Sequence, residues 1–440
     1  MSLVHEKRGS DSRREPAGLF VRCMDCGETT EATGSVAQCQ ACGGLLDAVI
    51  DLNRTVTADD FGGPLPSSAA QSGVWRYRTL LPAIPDAAII SRAEGRTPIY
   101  WDQRIADYAG LVRFGLKHEG QNPTGSFKDR GMTVGISHAR AIGARIVACA
   151  STGNTSASLA SYAAAANIPA IVIIPVGKIS GGKLSQTIAH GAKVVQVEGD
   201  FDQALSLLRA TTKDYGVYLV NSVNPFRLEG QKTIVFEMLE QLEWTVPDVI
   251  ALPGGNLGNT AAFGKALTDL YAVGLIDRLP RLATVQAAGA APFAAYFESG
   301  FDHYQPVTAE TVATAIKIGN PASVARARRS IERTDGVVTS VTDDEILEAK
   351  ALIDRAGIGC EPASAATLAG VRRLVRDGMI TPDASVVGVL TGHLLKDADS
   401  VVKYHLEDVE GAARSGATRP VTIPAELSAL ERVLSDAIHG

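Results

Sequence analysis

The sequence predicts an α/β fold of parallel sheets covered by helices on both faces. Three observations predict it. From about residue 110, short β-branched runs alternate with Ala-rich or Leu-rich stretches of helical length. The chain has 440 residues, long enough for two or three domains with large cores. Its 43 glycines cluster between apolar runs, where tight turns and close backbone approach are needed.

Taken in order, residues 145–150 read as a strand, 155–166 as a helix and 168–176 as the next strand, one complete βαβ unit. The order recurs with a helix at 183–190, extended chain at 192–197, a helix at 201–212 and extended chain at 217–220. A helix at 227–242, a strand at 248–252, a helix at 260–273 and a strand at 281–286 follow. In such folds ligands bind beyond the carboxyl ends of the strands, so the loops after strands carry the interest. Residues 1–18 are charged and read as a mobile arm, 19–60 as a cysteine-bearing extension, 61–406 as the main α/β region of two subdomains, and 407–440 as a polar linker ending in a helix at 425–438.

Composition excludes several classes. Hydrophobic residues at 45% and charged residues at 20% fit a globular enzyme rather than a disordered chain. A net charge of −6 argues against a nucleic-acid partner. No apolar run reaches the roughly 18 to 20 residues needed to cross a bilayer, so no membrane partner is expected. The first 18 residues lack the apolar core of a secretory leader, and six cysteines are too few for a disulfide framework, which points to a reducing cytoplasm. A symmetric homodimer is the default for such an enzyme.

Cys23 and Cys26 (CMDCG) and Cys39 and Cys42 (CQACG) form two knuckles separated by twelve residues. Four thiolates at this spacing suit a tetrahedral structural zinc, with no open position for chemistry. A ribbon without firmly bound metal is the other reading, and a redox role lacks the βαβ context it would need.

The stretch 120–132 (GQNPTGSFKDRGM) places Ser126 three residues before Asp129, a capping pair that would start a helix at Phe127 and put Lys128 in its first turn. The positive end of that helix and any desolvation disfavour an ammonium, so Lys128 would be a neutral nucleophile. A lysine near a helix start is by itself usually a surface residue. Residues 151–158 (STGNTSAS) follow a strand and open a helix, gathering hydroxyls, an amide and free backbone N–H groups suited to an anion, or simply capping the helix. Residues 253–259 (PGGNLGN) combine close backbone approach with a helix N-terminus, the arrangement that cradles a phosphate. A near match to a nucleotide-binding loop at 177–184 (GKISGGKL) fails at Leu184, where a magnesium-ligating hydroxyl is required; Lys178 and Lys183 are then loop cations facing an anion or solvent.

Together these stretches resemble fold type II pyridoxal-phosphate enzymes, of the tryptophan synthase β-like architecture, and more narrowly the threonine synthase family. The resemblance rests on 122–131 (NPTGSFKDRG), 151–158, 221–232 (NSVNPFRLEGQK) and 391–397 (TGHLLKD), with lesser matches at 75–77 (WRY), 318–321 (IGNP) and 361–365 (EPASA). It implies a pyridoxal 5'-phosphate cofactor carried on Lys128, which also shuttles protons. It further implies Asn154 at the cofactor's phenolic oxygen, Gly254, Gly255, Asn256, Leu257 and Gly258 at its phosphate, and Thr391 at its pyridine nitrogen. A small phospho-amino acid substrate, O-phosphohomoserine, would be held by Ser151, Thr152, Thr155, Asn221 and Arg227 and converted with water to L-threonine and phosphate. The alternative for Arg227 is a helix-terminal surface residue. Gly255, Leu257 and Leu394 depart from the commonest family wording and bear on pocket shape. A β-replacement on O-phosphoserine, like that of cysteate synthases, and a catalytically silent member of the family are the alternatives.

Overall fold

The computed structural model describes residues 18–35, 38–176, 181–199, 203, 206–208, 210, 215–407 and 417–439. At the N-terminal end, β1 (Phe20–Cys23), β2 (Thr29–Glu31) and β3 (Leu46–Ala48) form an antiparallel sheet in the order β2-β1-β3. Next come β4 (Ile99–Trp101), α1 (Gln103–Ala109), β5 (Phe114–His118) and α2 (Lys128–Ala141). The chain then builds a small parallel sheet from β6 (Ile146–Ala150), α3 (Asn154–Ala166), β7 (Ala170–Pro175), α4 (Gly181–Ala189), β8 (Lys193–Val197) and β9 (Val217–Leu219), in strand order β8-β7-β6-β9.

The larger sheet resumes through α5 (Pro225–Gln241), β10 (Val249–Pro253), α6 (Gly258–Ala272), β11 (Arg281–Ala287), α7 (Pro292–Glu298), α8 (Val324–Arg333), β12 (Val337–Val341), α9 (Asp343–Arg355), α10 (Pro362–Arg376) and β13 (Val386–Leu390). Its strand order is β12-β11-β10-β13-β5-β4, parallel except for β4, which runs antiparallel to β5. Two further helices, α11 (Ala398–Leu406) and α12 (Leu427–His439), end the chain. None of the described helices is long and apolar enough to cross a membrane.

The inner strands of the two parallel sheets, β6, β10 and β13, are apolar because both of their faces are covered. Along β10, Ile250 and Leu252 enter one buried cluster while Val249 and Ala251 enter another. Along β6, Val147 and Cys149 enter one cluster and Ala148 a different one. This is the period-2 division of a strand buried on both sides. Expected and observed elements agree closely, with informative shifts. The helix expected from 227 begins at Pro225, because Asn224 accepts hydrogen bonds from Phe226 N (3.0 Å) and Arg227 N (3.2 Å) as its N-cap. The arm at 1–18, apart from Gly18, much of the helix at 201–212, Lys178 and most of the linker lie outside the described residues.

A buried ionic cluster fixes α2 against β5 and α5. Arg130 on α2 bonds Glu119 through Nε (2.6 Å) and Glu237 on α5 through Nη2 (2.7 Å), and Lys117 on β5 reaches the same Glu237 at 2.6 Å. Asn122 adds a bond to Glu119 at 2.8 Å. Burial pushes the Glu119 carboxyl up, yet Arg130 and Lys117 outweigh it and hold the group below its ordinary value. Removing one member strands a buried charge, so Glu119→Ala should lower stability by about 3–5 kcal/mol. Denaturant unfolding checks this; a loss under about 1 kcal/mol would mean the cluster is not holding α2 in place.

Candidate active site

Lys128 opens α2 at the end of a loop pinned to the exit of β13. Phe127 N donates to Thr391 O (3.0 Å) and His393 N donates to Gly125 O (2.9 Å), which brings Lys128 beside Thr391. The expected capping pair does not form. Phe127 is the N-cap and no side chain caps the helix. The Asp129 carboxylate instead accepts from Thr124 N (2.7 Å), Thr124 Oγ1 (2.7 Å) and Ser158 Oγ on α3 (2.6 Å). A buried carboxylate takes the donors that packing supplies, and here two come from Thr124 in the preceding loop and one from a separate helix.

The Lys128 amine lies 4.1 Å from the centre of the Phe127 ring. Its side chain keeps some accessible surface but is densely surrounded by protein. Desolvation and then the nearby Arg227 charge bring its pKa down to about 7, while Glu361 opposes them. Near neutrality roughly half of such amines are unprotonated and nucleophilic.

Arg227 is no surface residue. It lies on the first turn of α5 at 1% exposure, and among the described residues its guanidinium makes one hydrogen bond, from Nη1 to Val220 O at 3.0 Å. Nε and Nη2 are buried with no partner among the described residues. Burial lowers its pKa to about 10. A buried guanidinium with two unspent nitrogens calls for an anion.

The loop before α3 stands next to it. Asn221 bonds the backbone of Ala150 in both directions, at 3.3 and 3.2 Å, tying the exits of β6 and β9 together. Ser151 Oγ accepts from Gly153 N (3.2 Å), Ser151 and Thr152 are half-buried, and Thr155 is buried on the first turn of α3. Asn154 donates through Nδ2 to both carboxylate oxygens of Glu361, at 3.2 and 3.1 Å.

Between β10 and α6, the glycine loop comes too close to its neighbours for side chains. A Cβ on Gly254 would sit 2.6 Å from Thr284 Cγ2, and one on Gly255 would sit 3.1 Å from Ile316 Cα. Asn256 spends its amide on Ser222 Oγ (3.2 Å) and Ala322 N (3.0 Å). Leu257 occupies the N-cap at φ 62° with no side-chain cap, and Gly258 starts the helix. The first N–H groups of α6 are therefore open to an anion. Asn259 beside them is buried with both amide atoms unpartnered among the described residues.

Three residues escaped sequence reasoning as site members: Glu361, Ser364 and Asn259. The first two lie in the EPASA stretch, where only Pro362 at the helix start gave a local signal. Ser364 Oγ accepts from Thr391 N (2.8 Å) and Gly392 N (3.0 Å), which uses its lone pairs. Its proton then points to Thr391 Oγ1 (3.0 Å), leaving the Thr391 proton free for another acceptor. Gly392 makes room for Glu361, since a Cβ there would sit 2.4 Å from Glu361 Oε1.

Residues 90–392 match the family model described as pyridoxal-phosphate dependent enzyme. The threonine synthase of Methanocaldococcus jannaschii is 42% identical over 420 residues, covering 95% of this chain and 100% of the relative. The chain belongs to the threonine synthase family. The family member from Methanosarcina acetivorans is 46% identical over 385 residues, 87% of this chain and 93% of its own length. The crystal structure of the Escherichia coli threonine synthase overlays with a TM-score of 0.67 at 18% identity, covering 95% of this chain and all of that one. The residues fit the family's cofactor: a near-neutral amine for its aldehyde at Lys128, and an uncapped helix start behind a glycine cradle for its phosphate.

The four cysteines sit apart from this site, on the antiparallel ribbon. Their sulfurs all lie within 4.8 Å of one another, with Cys23 to Cys42 at 3.4 Å and Cys26 to Cys39 at 3.7 Å. Tetrahedral zinc with Zn–S near 2.3 Å requires S···S separations of about 3.8 Å, whereas a disulfide requires about 2 Å.

In apo protein, acylation of Lys128 followed by peptide mass spectrometry should rise with a midpoint near pH 7. Glu361→Gln removes the charge that favours the ammonium and should lower the midpoint; Arg227→Met removes the repulsion and should raise it. A wild-type midpoint near 10 would show that the amine is not desolvated.

Proposed function

We propose that this chain converts O-phosphohomoserine and water to L-threonine and phosphate, with Lys128 as the principal acid and base. The observation that carries the reading is Arg227, a buried cation with two unspent nitrogens beside an amine tuned near neutrality. Membership of the threonine synthase family supports it.

Bound pyridoxal phosphate supplies an electron sink that acidifies the C–H bonds of the attached amino acid. Lys128 carries the cofactor, removes the Cα proton and then a Cβ proton. The Cγ–O bond breaks with its electron pair leaving on phosphate, a proton is delivered to Cγ, water adds at Cβ, and the proton at Cα is restored. Asn154, oriented by Glu361, would hold the cofactor's phenolic oxygen, and Thr391, its own proton freed by Ser364, would serve its pyridine nitrogen. Gly254, Gly255, Asn256, Leu257 and Gly258 would hold its phosphate with backbone N–H groups. Arg227, with Ser151, Thr152, Thr155 and Asn221, holds the substrate's phosphate before and after it leaves.

The four thiolates of Cys23, Cys26, Cys39 and Cys42 hold a structural zinc that closes the ribbon. None of the six cysteines is in a disulfide, which suits a reducing cytoplasm, and the working unit is a symmetric homodimer.

Purified enzyme should release phosphate and threonine in equal amounts from O-phosphohomoserine. Lys128→Ala should abolish turnover together with the visible band near ~410–420 nm, and Arg227→Lys should lower kcat/KM by roughly 10- to 100-fold through loss of the two-pronged contact. Brisk turnover of O-phosphoserine with none of O-phosphohomoserine would overturn the assignment. Metal analysis should find one zinc per chain, lost in Cys42→Ser while the visible band persists; a chain that never holds zinc refutes the staple.

A further inference from the structure

Among the polar contacts between the ribbon and the helices of the active site is a chain in which every donor and acceptor can be assigned. Ala32, just after β2, offers its carbonyl to His138 Nε2 on α2 at 3.1 Å. A carbonyl only accepts, so Nε2 carries the imidazole proton and Nδ1 is bare. Tyr218 on β9 therefore donates its hydroxyl to Nδ1, at 2.7 Å. The Tyr218 oxygen in turn accepts from Asn224 Nδ2 at 3.1 Å, and the other Nδ2 proton goes to Leu219 O at 2.8 Å. Asn224 is then left with one acceptor oxygen, which caps Phe226 N and Arg227 N at the start of α5.

Every member of the chain is buried: Ala32 at 1% exposure, His138 at 0%, Tyr218 at 1% and Asn224 at 2%. Each donor and acceptor has a single consistent role, so turning one group costs the bonds on both sides of it. The His138 ring also stacks on Phe226, the residue before Arg227, with ring centres 3.5 Å apart and planes 10° from parallel. Burial holds the imidazole neutral by pushing its pKa down to about 4, which keeps Nδ1 available as an acceptor.

Arg227 needs such support. Among the described residues its guanidinium has one hydrogen bond, at Val220 O, so its aim depends on the backbone turn that bears it. We propose that Tyr218 and His138 are positioning residues for Arg227, holding the first turn of α5 so that the guanidinium meets the substrate's phosphate. This rests on the reading of Arg227 as the phosphate-binding residue. The ribbon's carbonyl at Ala32 is the fixed end of the chain and selects the tautomer on which the rest depends.

The test uses the holoenzyme, with O-phosphohomoserine as substrate and inorganic phosphate as probe. Tyr218→Phe removes one oxygen and keeps the ring. Its KM and its inhibition constant for phosphate should rise together by about 5- to 10-fold, the effect of one net hydrogen bond, with kcat and the visible band within about 2-fold of wild type. His138→Asn, which keeps an acceptor for the Tyr218 hydroxyl, should bind phosphate more tightly than His138→Leu. In an Arg227→Ala background, Tyr218→Phe should weaken phosphate binding no further, because the group it positions is gone. A loss of thermal stability in Tyr218→Phe with unchanged KM and phosphate inhibition would overturn the proposal. An undiminished effect in the Arg227→Ala background would overturn it as well. If Arg227→Ala alone left phosphate binding intact, the assignment of Arg227 would fail first and the positioning role would fall with it.

Discussion

Two cations share one buried space, and most of the site follows from that constraint. Lys128 and Arg227 each lose hydration, and the Arg227 charge further disfavours the lysine ammonium, while Glu361 is the carboxylate that opposes it. Proteins rarely leave a guanidinium with two unspent nitrogens unless an anion completes it. The same deficit does two jobs. It lowers the proton affinity of the amine, which makes it a nucleophile, and it leaves positive potential suited to an anion.

Holding that arrangement requires a scaffold whose own charges are balanced. Arg130 lies two positions after Lys128 on α2, and Glu237 lies ten positions after Arg227 on α5, so their salt bridge joins the two helices that bear the uncompensated cations. Arg130, Lys117, Glu119 and Glu237 sum to zero charge, and their bonds are mutually satisfied. Neutrality here and imbalance at the site are complementary. A second unbalanced cluster would compete for the ligand's charge, whereas a neutral one costs little once formed and strongly resists separation of its members.

The alternation of strands and helices was legible because it is local: β-branched runs, Ala-rich stretches and Gly-rich loops each act within a few residues. The positions of Lys128, Asn154, Arg227, the glycine loop and Thr391 were legible as motif residues, while their surroundings were not. Asp129 looked like a capping partner for Ser126 because the pattern within four residues allows it, but its carboxylate answers to Ser158, twenty-nine residues away. Glu361 meets Asn154 across 207 residues of sequence. No spacing rule joins positions so far apart, and Glu361 within an apolar helix start carries no periodic signature of its own. The burial of Arg227 was equally hidden, since it depends on how α2 and α5 pack. The cysteine spacing did foretell a clustered set of thiols, because two tight knuckles on neighbouring hairpins converge by local geometry alone.

Leu257 shows how a departure from the usual loop wording is accommodated. Its φ of 62° lies in the left-handed region that glycine occupies freely, and for a leucine that conformation costs roughly 1–2 kcal/mol. The side chain does not project into the phosphate cradle. It is 2% exposed and packs into the core between α5 and α6 with Leu228, Leu252 and Phe263, a burial worth about 1.5–3 kcal/mol. The two terms are of similar size, so the strain is met by packing on the far side of the backbone while the N–H groups at the start of α6 stay uncapped by any side chain. What the cradle requires of this position is the left-handed turn itself, and any side chain that can be buried behind it is compatible with the same anion-binding surface.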